Sequence, residues 1–503
     1  MLRRLPVLAA LACAGAALPP ATASAAPPPI GHVWVVVLEN TSYAESFGPD
    51  AKAPYFSRDL PGQGALLTQY HGTTHFSLGN YIAMLSGQPS NVETQADCLR
   101  YSEFSGGADV GNGVLAGTGC VYPASVGTLA DQLREKGLTN KGYLQDMANG
   151  PARDSCRHPA LNAADDTQSA EVGDQYATRH NPYMYFHSQI DAQAQCDREN
   201  VDLSRLAEDL KSEATTPSFS FVSPNLCDDG HDEPTCVDGR PGGLVAADAF
   251  LQRTIPGIMA SPAFQKDGLI LLTFDEAEAS GTNADSSSCC GQPAGPNTPS
   301  PGGPLTPGPG GGRIGAIALS RFVTPGTTST VPYNHYSLLR SLEETFGISE
   351  HLGYANQLNL ATFGDDVYAN RPGTTKLPLP GMTPPVQSPP VVPGGPGVPS
   401  PPVVPTCGST AVKRRGITKG DLIQSVVVSD PVNADRFVRV LMAHGARLTV
   451  RQIAGGKRHT LANRVRVRAC RQYRYRLRLS RTGRLQITAR VPAGTETRTT
   501  RYR

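Results

Sequence analysis

The stretch from Thr73 to Gly87, TTHFSLGNYIAMLSG, sets Ser77 between His75 and Asn80 at the start of a helical pattern. Leu78, Tyr81, Ile82, Met84 and Leu85 follow at helical spacing, which makes Ser77 an N-cap or first-turn residue. A hydroxyl there has two uses. It can cap the helix, the commonest fate of such a serine, or it can attack an anion drawn to the exposed N–H groups and dipole of the helix start.

The residues that bear on this choice are acids at the ends of apolar runs. VWVVVL runs into Glu39 and Asn40, LLTF runs into Asp275 and Glu276, and FSFVSPNL runs into CDDGHD, which carries Asp228, Asp229, His231 and Asp232. Taken singly, each reads as a loop acid or a helix cap. Taken together at one sheet edge, their carboxylates would repel unless a cation neutralised them, so a metal site is the economical explanation.

The elements that must position these groups are visible as alternating patterns. HVWVVVL (32–38), SFSFVSP (218–224), LILLTFD (269–275) and IGAIALS (314–320) are short β-branched, apolar runs with the composition of buried strands. Between them, SVGTLADQLREKG after Ser125, DLSRLAEDLKSE after Val201 and YSLLRSLEETFG after His335 have helical spacing. The alternation predicts an α/β fold with a mostly parallel sheet flanked by helices, in which ligands collect at the carboxyl ends of the strands.

Six ordered motifs, VVVLENTSYAESFG from Val35, HFSLGNYIAMLSG from His75, HNPYMYF from His180, VSPNLCDDGHD from Val222, LLTFDEAE from Leu271 and YNHYSLLRSLEETFGI from Tyr333, span residues 32 to 350. In this order the chain resembles the bacterial phosphoesterase family of acid phosphatases and phospholipases C, within the alkaline-phosphatase-like superfamily. The resemblance implies that Glu39, Asn40, Asp275 and Glu276 hold a divalent metal ion and that Ser77 is the nucleophile. It implies that Asn80 holds phosphoryl oxygens and that His75, His231 and His335 are active-site histidines. Family members commonly read His-Pro-Ser-x-Pro-Asn where this chain has His75, Phe76, Ser77, Leu78, Gly79 and Asn80, so both prolines of the turn are missing. Gly79 would leave that turn freer than proline does.

Phosphate ester hydrolysis is slow because the anionic phosphoryl group repels nucleophiles, and its catalysis is mostly positioning and electrostatic stabilisation. The expected activity is serine-dependent, metal-assisted hydrolysis, most readily of soluble phosphomonoesters. A phospholipase C-like diesterase and a catalytically silent surface-binding protein on the same scaffold are the alternatives. Carboxylate and amide oxygens suit several hard divalent ions, which leaves the metal's identity open.

Composition divides the 503 residues into segments. MLRR, an apolar run and ATASA read as a signal peptide over 1–25, which implies a secreted or wall-associated protein. Removing it with Cys13 leaves ten of the eleven cysteines, an even number that suggests disulfides, with Cys98–Cys120 and Cys227–Cys236 as plausible close pairs. The catalytic domain is expected over 30–370, with a Gly- and Pro-rich insertion after Asp285, followed by a Pro/Gly-rich linker over 371–406. The tail, 407–503, holds 23 Lys and Arg against 4 Asp and Glu, leaving 45 − 23 = 22 basic and 43 − 4 = 39 acidic residues before it. Its period-two run NRVRVRACRQYRYRLRLS predicts a small basic β domain, stapled by Cys407 and Cys470 and suited to anionic wall polymers or membrane surfaces. No apolar run after the signal is long enough to span a bilayer.

Overall fold

The computed structural model describes residues 27–150, 154–298, 300–303 and 307–369, together with seven strands between 423 and 502. The expected signal peptide, the linker and the Cys407–Cys470 pair lie outside the described residues. Contacts divide the chain into two units on either side of residues 383 and 384.

The first unit is built on an eight-stranded sheet. Its strands, in chain order, are β1 (His32–Leu38), β2 (Ala65–Leu67), β3 (Asn140–Leu144), β4 (Asn200–Asp202), β5 (Phe219–Ser223), β6 (Gly268–Phe274), β7 (Ala316–Ser320) and β8 (Thr327–Ser329). They lie side by side as β8-β2-β7-β6-β1-β5-β3-β4. From β6 to β4 all neighbours run parallel, whereas β7 runs antiparallel to both β6 and β2. Every residue of β1, β5, β6 and β7 is buried, the outcome for Val- and Leu-rich runs covered by layers on both faces.

Because β6, β1 and β5 are adjacent and parallel, their carboxyl ends open at one edge. The register pairs Leu38 with Phe274, so Glu39 and Asp275 leave the sheet side by side. All four sequence-predicted strands are present within two residues of their expected bounds.

Three helices matter to the site: α1 (Ser77–Ser86), α2 (Leu244–Ala260) and α3 (His335–Thr345). Every residue of α1 is buried, and it stops at Gly87, whose φ of 70° is the left-handed conformation that closes helices without a Cβ penalty. The segment after Val201, expected as one helix, breaks into a 3-10 turn at Leu203–Arg205 and a four-residue helix, Leu206–Asp209. Only Leu206 of that piece is buried, too little apolar surface to support a longer helix.

Four disulfides occur among the described residues. The expected Cys98–Cys120 and Cys227–Cys236 pairs both form, joined by Cys156–Cys196 and Cys289–Cys290. No described helix is long and apolar enough to cross a membrane.

The second unit is all antiparallel. One sheet orders Ile423–Val428, Phe437–Met442 and Gln472–Arg476, and the other orders Lys457–Val467, Ala446–Ala454, Gly483–Val491 and Gly494–Tyr502. The described parts of the alternating arginine run, 463–467 and 472–476, thus fall on strands, as its period requires.

Phe274 closes β6 immediately before Asp275, fully buried and packed edge-on against Phe56 at 5.3 Å. Phe274→Ala should destabilise the first unit by about 3–5 kcal/mol, read as a lower midpoint in denaturant unfolding.

Candidate active site

Glu39 leaves the end of β1 fully buried. Its Oε2 accepts a hydrogen bond from Ser77 Oγ at 2.8 Å, and its Oε1 accepts one from Tyr81 OH at 2.6 Å. Tyr81 lies four residues after Ser77 on α1, so one helix face delivers both hydroxyls to one carboxylate. Ser77 therefore does not cap α1. Phe76 occupies the cap position, and Asp97 Oδ1 accepts the N–H of Leu78 at 3.1 Å.

Asn40 has a φ of 48°, a left-handed conformation that asparagine tolerates better than most residues. Its backbone N–H donates to Asp275 Oδ1 at 3.0 Å. That leaves the side-chain Oδ1 of Asn40 and the Oδ2 of Asp275 buried with no hydrogen-bond partner.

Two further groups complete the cluster from the loop after β5 and from a 3-10 turn at Thr178–His180. His180 Nδ1 lies 3.1 Å from Asp229 Oδ2, and its Nε2 lies 3.3 Å from Glu39 Oε1, with the ring stacked on Tyr81 at 5.2 Å. Burial first, and then the charges of Arg179 and His231, hold His180 well below its ordinary pKa, so the imidazole is neutral. His180 Nε2 is buried with no hydrogen-bond partner, although it faces Glu39 Oε1.

Burial pushes Glu39, Asp229 and Asp275 well above the usual carboxylate range. The charges of Asp275 and Asp229 add to this at Glu39, Asp232 and Asp275 at Asp229, and Glu276 at Asp275. An unpartnered ring nitrogen and mutually repelling carboxylates are what a cation relieves. Glu39, His180 and Asp229 bring ligand atoms within 4.8 Å of one another, and the unpartnered oxygens of Asn40 and Asp275 supply further donors. This set of carboxylate, amide and imidazole donors fits a divalent metal ion.

Glu276 has a different neighbour. Its carboxylate pairs with His75 Nδ1, while His75 Nε2 lies 2.9 Å from the carbonyl oxygen of Asp285. Burial lowers the pKa of His75, but the Glu276 charge overcomes it and raises it to about 9.

His335 stands at the N-terminus of α3 but faces the main chain. Its Nε2 donates to the carbonyl of Asp275 at 2.5 Å and its Nδ1 accepts from Tyr70 OH at 3.1 Å. Burial pulls its pKa down to about 4, so it is neutral and holds the Asp275 backbone in place. Asn80, expected to hold phosphoryl oxygens, spends its amide on the preceding turn. Its Oδ1 accepts from Thr73 and Thr74, and its Nδ2 donates to the carbonyls of Thr74 and Phe76.

Gly79 has a packing reason: a Cβ there would come within 2.5 Å of the Thr74 side chain. The insertion after Asp285 packs on the same turn, where Pro301 O accepts the His75 N–H at 2.9 Å and Thr74 Oγ1 at 2.7 Å. His231 has both nitrogens engaged, Nδ1 with Asp232 at 3.0 Å and Nε2 with Arg179 at 3.2 Å.

A cleft of about 290 Å³ opens over these groups, lined among others by Asn40, Ser77, Asp97, His231 and Glu276, with Glu45, Glu233 and Glu278 also in its wall. Burial and then the neighbouring Glu45 push Glu278 up to about 7. Sequence reading placed Ser77, Glu39, Asn40 and Asp275 in one site, and the structure brings them together. It did not assign roles to Tyr81, Asp97, Arg179 or His180, and it counted Asp229 among the strand-end acids of a metal site without naming it a ligand; for Tyr81 the spacing of four from Ser77 was the available signal.

A mostly parallel α/β sheet thus gathers a serine, acids and a histidine at its strand ends. Residues 50–349 match the sequence profile of the Phosphoesterase family, and the chain belongs to that family. It is 26% identical over 318 residues to a phosphate-repressible acid phosphatase of Penicillium chrysogenum, covering 63% of this chain and 58% of that one. It is 25% identical over 333 residues to a phosphatidylinositol-3-phosphatase of Mycobacterium tuberculosis, covering 66% of this chain and 82% of the relative. Thus the match spans about three fifths of the fungal protein. A solved structure of an alkaline phosphatase superfamily protein from Vibrio parahaemolyticus is similar at 10% identity and a TM-score of 0.38, over 88% of this chain and 84% of that one.

His75 makes the stability of the metal-free protein depend on pH. Its folded pKa of about 9 lies above the ordinary value of 6.5, so the stabilisation is full below about pH 6.5 and is lost as pH rises toward 9. Thermal unfolding in chelator should show this decline, worth on the order of 1–3 kcal/mol, and His75→Gln should flatten it.

Proposed function

We propose that this chain is a secreted, divalent-metal-dependent phosphoesterase of alkaline-phosphatase-like architecture that hydrolyses phosphate monoesters through Ser77. The observation that carries the reading is the hydrogen bond from Ser77 Oγ to Glu39 Oε2, set at the wall of the cleft beside the unpartnered oxygens of Asn40 and Asp275. As Ser77 attacks, its hydroxyl proton passes along its existing hydrogen bond to Glu39. As the Oγ–P bond forms, the bond from phosphorus to the ester oxygen breaks, and that oxygen takes a proton from water in the open cleft. Water then cleaves the phosphoserine, releasing inorganic phosphate and restoring the hydroxyl.

The residues that would hold the metal are Glu39, Asn40, Asp275, His180 and Asp229, with Glu276 the expected member most drawn away, toward His75. When bound, the ion supplies positive charge that stabilises the phosphoryl group and lowers the serine's pKa. His335 contributes by fixing the Asp275 main chain, and Asn80 by bracing the turn that presents Ser77. The monoester preference is supported by the names of the relatives, an acid phosphatase and a phosphatidylinositol-3-phosphatase, and secretion by the disulfides together with the N-terminal sequence pattern.

The basic second unit is proposed to hold the enzyme on anionic wall polymers. Arg447, Thr449, Arg451, Thr488 and Arg490 line a groove of about 320 Å³, while Leu448, Val450, Ile487 and Ala489 are buried. Arg447 pairs directly with Arg490 across the strands, a like-charge contact that an anion would relieve.

Ser77→Ala and chelator should each abolish hydrolysis of an aryl phosphate by the secreted protein, while an aryl phosphodiester should be the poorer substrate. Activity surviving in Ser77→Ala would remove the serine from the mechanism, and a preference for the diester would assign the phospholipase C-like alternative. Retention of the full chain on beads carrying a polyol phosphate polymer should fall steeply with salt and with Arg447, Arg451 and Arg490 changed to Gln. Equal retention at low and high salt, or binding to anionic vesicles alone, would overturn the wall-polymer reading.

A further inference from the structure

Arg179 is a buried cation with no direct counter-ion among the described residues. It is 3% exposed, its Nη2 donates to His231 Nε2 at 3.2 Å, and its Nη1 is buried with no hydrogen-bond partner. Arginines with structural tasks in this protein behave differently. Arg157 grips Asp174 with two bonds of 2.8 and 2.7 Å, and Arg240 and Arg253 each reach Asp228 at 2.9 Å. The acids that act on Arg179, chiefly Asp97, Glu39 and Asp229, do so through their fields and not by contact.

Burying a charge with an unused donor is costly unless something pairs with it. His231 and Asp97 both line the cleft that Ser77 shares, and Arg179 lies directly behind that wall, within hydrogen-bond reach of His231. The engagement of His231 also acquires a purpose. Its Nδ1 is tied to Asp232, which leaves Nε2 as the acceptor that aims the guanidinium.

We propose that Arg179 is a phosphoryl-binding residue whose free Nη1 donates to a terminal oxygen of the ester phosphate attacked by Ser77, with His231 as its positioning residue. This deepens the proposed function and rests on it. A guanidinium fork matches the geometry of a phosphoryl group, and a monoester offers it one more charged oxygen than a diester does. Arg179 thereby favours monoesters at this site.

The test uses the full chain, with inorganic phosphate as the binding probe and aryl phosphate and aryl phosphodiester as substrates. Phosphate should raise the wild-type unfolding temperature, and Arg179→Met should lose that rise while unfolding normally without phosphate. In Arg179→Met, kcat/KM on the monoester should fall by about 100-fold or more, with a smaller loss on the diester. A wild-type phosphate shift and an unchanged monoester-to-diester ratio would overturn the assignment. If the Met variant does not fold, Arg179→Lys decides: a weakened phosphate shift supports the proposal, and a wild-type shift and ratio overturn it. Should the wild type hydrolyse neither ester, the proposed function fails, whereas the phosphate shift still judges Arg179 by itself.

Discussion

Mutual repulsion among three buried carboxylates is the constraint on which this structure turns. Glu39, Asp229 and Asp275 are carried into a common space by β1, β5 and β6, and each is destabilised as an anion by burial and by other acids nearby. A fold seldom gathers such groups unless a ligand repays the cost. The surroundings are arranged to tolerate them: Ser77 and Tyr81 donate to Glu39, the Asn40 main chain donates to Asp275, and the His231 main chain donates to Asp229. Arg179 adds a positive field without closing any of their contacts.

Much of the polar chemistry around the cleft serves to hold other groups still. Asn80 ties the Thr73–Phe76 turn, Pro301 from the insertion accepts two donors of that turn, and Gly79 lets α1 approach it closely. His335 and Tyr70 form a buried pair that ends on the Asp275 carbonyl. The hydroxyl of Ser77 is thus presented by a braced turn, which compensates for the prolines this chain lacks. Pre-organisation of this kind is where catalysis by positioning draws its advantage.

The loop after β5 shows how covalent and electrostatic restraints combine. Cys227–Cys236 closes a nine-residue separation around Asp228, Asp229, His231 and Asp232. Within it, Asp228 is neutralised by Arg240 and Arg253, whereas Asp229 turns inward to His180. Adjacent aspartates have opposite fates, one a buried acid held by two half-exposed arginines and the other part of the acid cluster.

The strands, the acids at their ends, Ser77 at a helix start and two disulfides were legible because each depends on neighbours close in the chain. An apolar β-branched run buries itself wherever it lies in a sheet, and the residue that follows it must emerge at the sheet edge. Which groups then meet could not be read this way. Ser77 and Glu39 are 38 residues apart, and Asn40 and Asp275 are 235 apart. Strand order and register decide such meetings, and they are properties of the packed sheet. The same holds for the direction of a ring or an amide: His335 turned to a carbonyl, Asn80 turned to its own turn, and Glu276 turned to His75. Residue type and local pattern determined which chemistry this protein carries. Only tertiary packing, by choosing partners for buried donors and acceptors, decided which residues remain free to perform it.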